Sequence, residues 1–468
     1  MKPTALSSLG SVGGSTLVAV GLGAVRMKLV ALSVGPSGVG TVGVALAACS
    51  TVATMLGLGL ATSGVSAVAA LRPEGARFRQ LLDALSAAGR TLAVIGGLVA
   101  CAVWLLAGPR DGGRVAFALS LGLAVASTIG LTGASASLNG QQRFRRIGSA
   151  QIASALGATV AVAALAAAAP WATPFAALAL PATTLLLALQ LASRPKPGPV
   201  ARQSPRERWN LLRPLVRTGI AASSGVLMMT ASQALASIWI YHAFGDRANG
   251  YFQACWMLTN LYPTFLLAAM SADFFPRIAA LSGDTARMSE AINSQVLTCL
   301  RIGMPLAFGL SALAPVALSL VYSSEFSPAT DLLRWFLIGE AFKCVAWPLS
   351  FVLLARHARH GYMLSELSWS VSFLMLTGLL TQVSLSGVGI AYASANAIFC
   401  LQLLVRTGYQ MPRPALIALT LGVLVMCAQA VPRVGSADPR SPVNVALAVA
   451  LLTWSGYTLF KERRASDV

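Results

Sequence analysis

Charge is what this sequence has least of. Only 10% of its 468 residues are Asp, Glu, Lys or Arg, against about 25% in an ordinary soluble domain. Acidic residues are the scarcer sign, 15 against 34 Lys and Arg, and there are three His. With 56% hydrophobic residues and a mean hydropathy of +0.72, this composition excludes a soluble globular chain and a disordered one. It also excludes a nucleic-acid binder, although a net charge of +19 on a soluble protein would suggest one. The seven Cys, at 49, 101, 255, 299, 344, 400 and 427, stand singly in apolar runs. None forms a CxxC or a Cys/His cluster, so neither a disulfide framework nor a metal site is expected, and each reads as a small packing residue. HExxH, GxSxG, Walker and DxD-like motifs are missing as well, so no catalytic constellation and no cofactor are expected.

What is present is a succession of apolar runs. A spanning helix needs about 20 apolar residues. Runs bounded by Gly, Pro and charges suggest 14 spans, at 8–34, 41–70, 90–107, 115–138, 148–169, 172–193, 218–243, 250–273, 296–322, 329–354, 362–384, 388–405, 415–431 and 444–460. The first run, Leu9 to Val25, is too Gly-rich for the apolar region of a cleavable leader. It continues through Arg26 and Lys28 and reads as the first span.

The basic residues test this division. With the N-terminus in the cytoplasm, the opposite side receives only Arg110, Arg114, Arg247, Arg433 and Arg440. Arg26, Lys28, Arg334 and Lys343 fall inside spans, which leaves 25 of the 34 on the cytoplasmic side. Cytoplasmic loops of membrane proteins carry such an excess, so an even number of spans with both termini inside is expected. One miscounted helix would invert the pattern beyond the error.

The halves resemble each other. Gly35-Pro36-Ser37-Gly38-Val39-Gly40 has its counterpart in Gly245-Asp246-Arg247-Ala248-Asn249-Gly250. In each half a long apolar helix follows, then a mixed-charge cytoplasmic loop, at 72–90 and 276–301. Six spans per half imply a parallel repeat about an axis along the membrane normal. The expected organisation is an all-α membrane protein with an N-terminal six-helix lobe at 1–193, a linker at 194–217, a C-terminal six-helix lobe at 218–406, and an extra helix pair with a basic tail at 407–468. The Pro-rich linker holds seven basic residues. It reads as a basic loop attracted to anionic lipid headgroups, with substrate capture as the other reading.

Charges inside spans are costly and are functional candidates by default. Arg26 and Lys28 are two residues apart, roughly 200° around a helix, so they cannot both face one cavity without a break. Lys28 is near enough to the outer interface to snorkel; Arg26 is deeper. In the tenth span Asp331/Arg334 and Glu340/Lys343 each stand i,i+3 and can pair on one face. They read either as neutralised structural pairs or as a cavity wall with Arg334 and Lys343 binding an anion and Glu340 titrating. Glu366 is a solvated interface residue or a proton-coupling carboxylate. Because cations dominate within the spans, the cargo expected is an anion, and a phosphate-bearing lipid fits.

Several stretches resemble a known family. Tyr322-Ser-Ser-Glu325-Phe326, Asp331-Leu-Leu-Arg-Trp335-Phe-Leu-Ile-Gly339-Glu340-Ala-Phe-Lys343 and Tyr362-Met-Leu-Ser-Glu366 look like the "(K/E)F…RDL(F)xWQxxGDxxK" and later "AE" stretches of bacterial lipid III/O-antigen flippases, of the MATE-like MOP superfamily. Lys28 to Gly40 is similar to that family's "GKxLAxxFGPxGxG". Gly250-Tyr-Phe-Gln253 and Pro276-Arg277-Ile278 resemble its "GxWQ" and "LPxLS" segments. The resemblance covers roughly residues 8–406. It implies two six-helix lobes in a V, with a cationic cavity between them. It also implies flipping of an undecaprenyl-diphosphate-linked oligosaccharide by alternating access in the bacterial inner membrane. Arg26, Lys28, Arg334 and Lys343 would hold the diphosphate. Glu340 and Glu366 would couple transport to protons or sodium. A polysaccharide polymerase and chain-length components would be the protein partners beside membrane lipids. The chain departs from the family in its thirteenth and fourteenth spans, and in having Tyr241-His242 where a basic pair is expected. The rival readings are a MATE-type ion-coupled exporter of small organic cations, which should carry carboxylate-rich spans, and a membrane-embedded saccharide polymerase or ligase, which should carry a large outer loop.

Overall fold

A backbone in lipid must satisfy its own hydrogen bonds, and a helix does so within one segment. The computed structural model of the chain accordingly consists of helices joined by short turns. It describes residues 5–71, 75–107, 113–141, 143–192, 203–260, 274–281, 285–356 and 358–430. In order these are α1 (Ala5–Leu56), α2 (Leu60–Ala69), α3 (Ala76–Ala107), α4 (Arg114–Gly140), α5 (Phe144–Ala168), a 3-10 turn (Pro170–Ala172), α6 (Thr173–Ala192) and α7 (Pro205–Thr259). They continue with α8 (Phe275–Ala280), α9 (Thr285–Ala312), α10 (Ala314–Val321), a 3-10 turn (Ser324–Ala329), α11 (Thr330–Ala355), α12 (Arg359–Leu380), α13 (Ser386–Thr407) and α14 (Arg413–Ala430).

Among the described residues ten helices have the length and hydropathy to cross a membrane, and eleven with the bent helix α7. The chain is a multi-pass membrane protein. Each expected span from the first to the seventh and from the ninth to the thirteenth falls mainly on helix, with residues 193 and 431 outside the described residues. The eighth does so as far as Thr259; its part at 261–273, and the whole fourteenth, lie outside the described residues.

Two helices are too long to be single spans. At 1.5 Å per residue, the 52 residues of α1 and the 55 of α7 would measure about 80 Å, against a hydrocarbon core of about 30 Å. Each contains one glycine of non-helical backbone, Gly35 (φ 66°, ψ −165°) and Gly245 (φ 84°, ψ 177°). This region of backbone space is essentially reserved for glycine. These are the two residues that open the matched turns of the sequence repeat, so the repeat extends to the same backbone conformation in each half.

The structure corrects the limits of the amphipathic segments. The loop expected at 72–90 is helix from Ala76, and that at 276–301 is helix from Thr285. The second part of the basic stretch, from Pro205, is helix too. The cause is their 3.6-residue apolar spacing. Phe78, Leu81 and Leu85 are buried while Arg77 is exposed, so continuing the helix buries one face and leaves the charges outside.

By internal contact the chain divides into two units, 1–238 and 239–468. In the first, α3 packs along α4, α1 along α5, and α6 against both α4 and α5. In the second, α11 is the central helix. It packs against α9, α13 and α14, and it buries most of its residues.

The breaking glycines generate the first prediction. A Cβ at Gly245 would meet nothing within 4 Å, so the cost of Gly245→Ala is backbone strain alone, about 1–3 kcal/mol. Gly378, inside α12, also faces open space but has no positive φ. Thermal melting of the purified chain should fall by several degrees for Gly245→Ala and hold or rise for Gly378→Ala. Equal melting of the two variants would contradict this account of the break.

Candidate functional site

The second unit holds a charged cluster in its interior, built on α11. Four charges lie on this helix, and i,i+3 spacing sets them in two pairs, which the nine residues between them turn to opposite sides of the helix. At its start Arg334 Nη1 meets Asp331 Oδ1 at 3.2 Å, and Arg334 Nε donates to the Ser311 carbonyl of α9 at 3.5 Å. This pair is half-exposed. Nine residues separate Arg334 from Lys343, about 13 Å along the axis, and the second pair lies deep in the unit. Glu340 is 1% and Lys343 8% exposed. Lys343 Nζ donates to Glu340 Oε1 at 2.8 Å.

A third member of this cluster comes from α13. The Tyr392 hydroxyl donates to Glu340 Oε1 at 2.5 Å and accepts from Lys343 Nζ. One carboxylate oxygen therefore takes two donors, and two of the three ammonium protons are engaged. Glu340 Oε2 is buried and has no hydrogen-bond partner among the described residues.

Aromatic rings surround the triad. Phe336 stacks on the Tyr392 ring with centroids 4.4 Å apart, and Trp256, Phe373 and Trp369 meet it edge-on or near edge-on at 5.7, 5.9 and 6.3 Å. The ammonium lies 4.9 Å from the Tyr392 ring centroid and 5.5 Å from that of Trp347, within cation–π range. Gly339 makes room for this arrangement, since a Cβ there would be 2.6 Å from Tyr392 Cδ1. Asn396, one turn on, donates to the Tyr392 carbonyl at 2.8 Å and accepts from Trp369 Nε1 at 3.2 Å. On α12, Glu366 stands one turn after Tyr362 and within electrostatic range of Lys343.

Of the residues singled out from the sequence, the structure thus brings together Glu340 and Lys343, with Glu366 nearby, and holds Arg334 apart with Asp331. Arg26 and Lys28 belong to the first unit, and both are half-buried on α1. Arg26 Nη1 donates to the Ala155 carbonyl at 3.3 Å and to Thr159 Oγ1 at 3.2 Å, both on α5. Both partners are neutral. Sequence reasoning missed Tyr392 and Tyr362. Tyr392 carries no charge and sits among small residues, Gly389-Ile-Ala-Tyr392-Ala-Ser-Ala-Asn396, 49 positions from Lys343. The one available signal was a large polar aromatic in a run of small side chains.

Chemically, the triad can exchange one bound cation for another at a single carboxylate. Its Lys343–Glu340 bond is internal, whereas Arg26 presents a positive charge with no carboxylate beside it among the described residues. No group of three or more His, Cys, Asp or Glu able to hold a metal ion occurs among the described residues.

Comparison with known proteins fixes the fold and the family. No curated protein matches the sequence. Among solved structures, the lipid II flippase MurJ in an inward closed conformation superposes with a TM-score of 0.74 over 96% of this chain and 99% of its own, at 12% identity. An inward-facing multidrug resistance MATE family transporter of the MOP superfamily gives 0.63 over 91% and 99%, at 16% identity. An outward-facing one gives 0.57 over 92% and 97%, also at 16%. At such identities the likeness is one of fold. The sequence profile of a family described as "Polysaccharide biosynthesis protein" matches residues 93–331, half of the chain and parts of both units. The chain belongs to this polysaccharide biosynthesis protein family, on the helical fold of MurJ and the MATE transporters.

Proposed function

We propose that this protein is a flippase of the MOP type. It moves an undecaprenyl-diphosphate-linked oligosaccharide repeat unit across the bacterial inner membrane by alternating access, for O-antigen, exopolysaccharide or another surface polysaccharide. Both termini are cytoplasmic in this reading, and a polysaccharide polymerase and chain-length components take up the product.

The observation that carries the reading is Arg26. A guanidinium within a span is expensive unless something answers its charge, and its partners on α5 are a carbonyl and a hydroxyl. A diphosphate supplies the missing anion, and Arg suits it because its planar donors match phosphate oxygens. Lys28, Arg334 and Lys343 are the further diphosphate-binding candidates. A cation exporter would need the opposite polarity at this position.

Glu340 and Glu366 are assigned to ion coupling. A proton or sodium ion arriving at Glu340 Oε2 would weaken the hold of the carboxylate on Lys343. The freed ammonium is then available to an anion. Apolar residues of similar volume are often as stabilising as a buried ion pair or more so, which supports a role for this one beyond stability.

The test is a flipping assay in proteoliposomes with a fluorescent undecaprenyl-diphosphate saccharide. Arg26→Ala and Lys343→Ala should each lower the rate about tenfold or more, the worth of a charge-assisted hydrogen bond. Wild-type rates in both would overturn the anion-site assignment. Export of an organic cation by the wild type, with no flipping of the lipid, would favour the exporter.

A further inference from the structure

The start of α7 is a separate device in the first unit. Ser204 and Glu207 form a capping box. The Ser204 amide donates to Glu207 Oε2 at 2.7 Å and the Glu207 amide to Ser204 Oγ at 3.3 Å, with Pro205 at the first helical position. The helix so begun runs from Pro205 to Ile220, then turns through 59° before Ser223–Thr259 continues. It does not continue in line with the span that follows.

Its three faces differ. One is docked. Leu212 is buried against Phe78, Leu81 and Leu85, with Leu215 and Val216 beside it, and Arg208 pairs with Asp83 of α3 at 3.1 Å. Gly219 completes this seat, because its backbone crosses that of Gly59 so closely that a Cβ would fall 2.7 Å from the Gly59 carbonyl.

A second face is a basic stripe. Arg206, Arg213 and Arg217 stand at i, i+7 and i+11, within about 40° of the helix circumference. All three are exposed, and none has an ion pair or side-chain hydrogen bond among the described residues. Trp209, 54% exposed, and Ile220, 52% exposed, border the stripe on one side. Leu211, also exposed, lies on a third face.

Arginines beside an exposed indole and aliphatic groups, on a helix bent away from the following span, make the pattern of a helix lying in a membrane interface. We infer that Pro205–Ile220 is an anionic-phospholipid docking helix: Arg206, Arg213 and Arg217 bind headgroup phosphates of the surrounding bilayer, with Trp209 seated at headgroup level. The partner is the bulk anionic lipid rather than the lipid-linked cargo. A row of exposed cations spread over about 16 Å of helix suits several separate phosphates better than one diphosphate. The Arg208–Asp83 pair and the Gly219–Gly59 crossing hold the stripe at a fixed place on the unit.

The test is native mass spectrometry of the purified full chain titrated with phosphatidylglycerol and phosphatidylcholine. The wild type should retain phosphatidylglycerol preferentially. Arg206→Gln/Arg213→Gln/Arg217→Gln should lower that occupancy about tenfold or more, at roughly the worth of a surface basic residue apiece. A control removing three other exposed arginines, Arg143→Gln/Arg145→Gln/Arg406→Gln, should lower it less than about twofold. Wild-type occupancy in the first variant would overturn the proposal, as would equal losses in both, which would indicate net charge alone. Loss of undecaprenyl diphosphate in place of phosphatidylglycerol would assign the stripe to the cargo and equally overturn it. A readout on the wild type needs no variant. Phosphatidylglycerol should raise its melting temperature at low salt and fail to do so at about 0.5 M salt; no rise at low salt would count against the docking helix.

Discussion

The second unit is organised around one bond, the contact of Lys343 with Glu340 inside α11. Two opposite charges in a dry interior are tolerable only together. Their i,i+3 spacing brings them together on one helix before any tertiary contact forms. Tyr392 then extends the pair to α13, since its hydroxyl both receives from the ammonium and donates to the carboxylate. The aromatic cage and the Asn396–Trp369 bond follow from placing that ring. α11 can be the central helix of its unit because its deep charges are answered internally.

The first unit shows the contrary arrangement. Its deep cation, Arg26, has only neutral partners on α5. Two units built on the same broken-helix plan thus handle intramembrane charge in opposite ways. One holds a closed pair of opposite charges, and the other a positive charge whose partners on α5 are neutral. Under the flippase reading, the coupling carboxylates fall in the second half, while cargo recognition draws on Arg26 and Lys28 in the first and on Arg334 and Lys343 in the second. In the topology expected from the sequence most of the basic excess marks one membrane face, so it says little about cargo.

Much of this architecture was legible in the sequence. Apolar runs, basic asymmetry and the paired Gly35 and Gly245 turns locate the helices and the repeat, because lipid imposes a length and a polarity that composition alone reports. The i,i+3 pairs were legible for the same reason, being local. What escaped was non-local or ambiguous in character. Tyr392 reaches Lys343 across 49 residues, and no local pattern encodes that contact. The extensions of α3, α7 and α9 were read as loops because charge there outweighed apolar periodicity. The Ser204-Pro-Arg-Glu207 capping box escaped because it lies within a Pro-rich stretch that reads as linker.

The most direct test of this account is a double-mutant cycle on the buried pair, with stability measured by reversible denaturation of the purified chain. Lys343→Met alone strands a buried carboxylate and should cost about 3–5 kcal/mol. Adding Glu340→Gln should recover part of that loss, giving a coupling energy of about 1–3 kcal/mol. Simple additivity of the two substitutions would contradict the claim that this pair organises the unit.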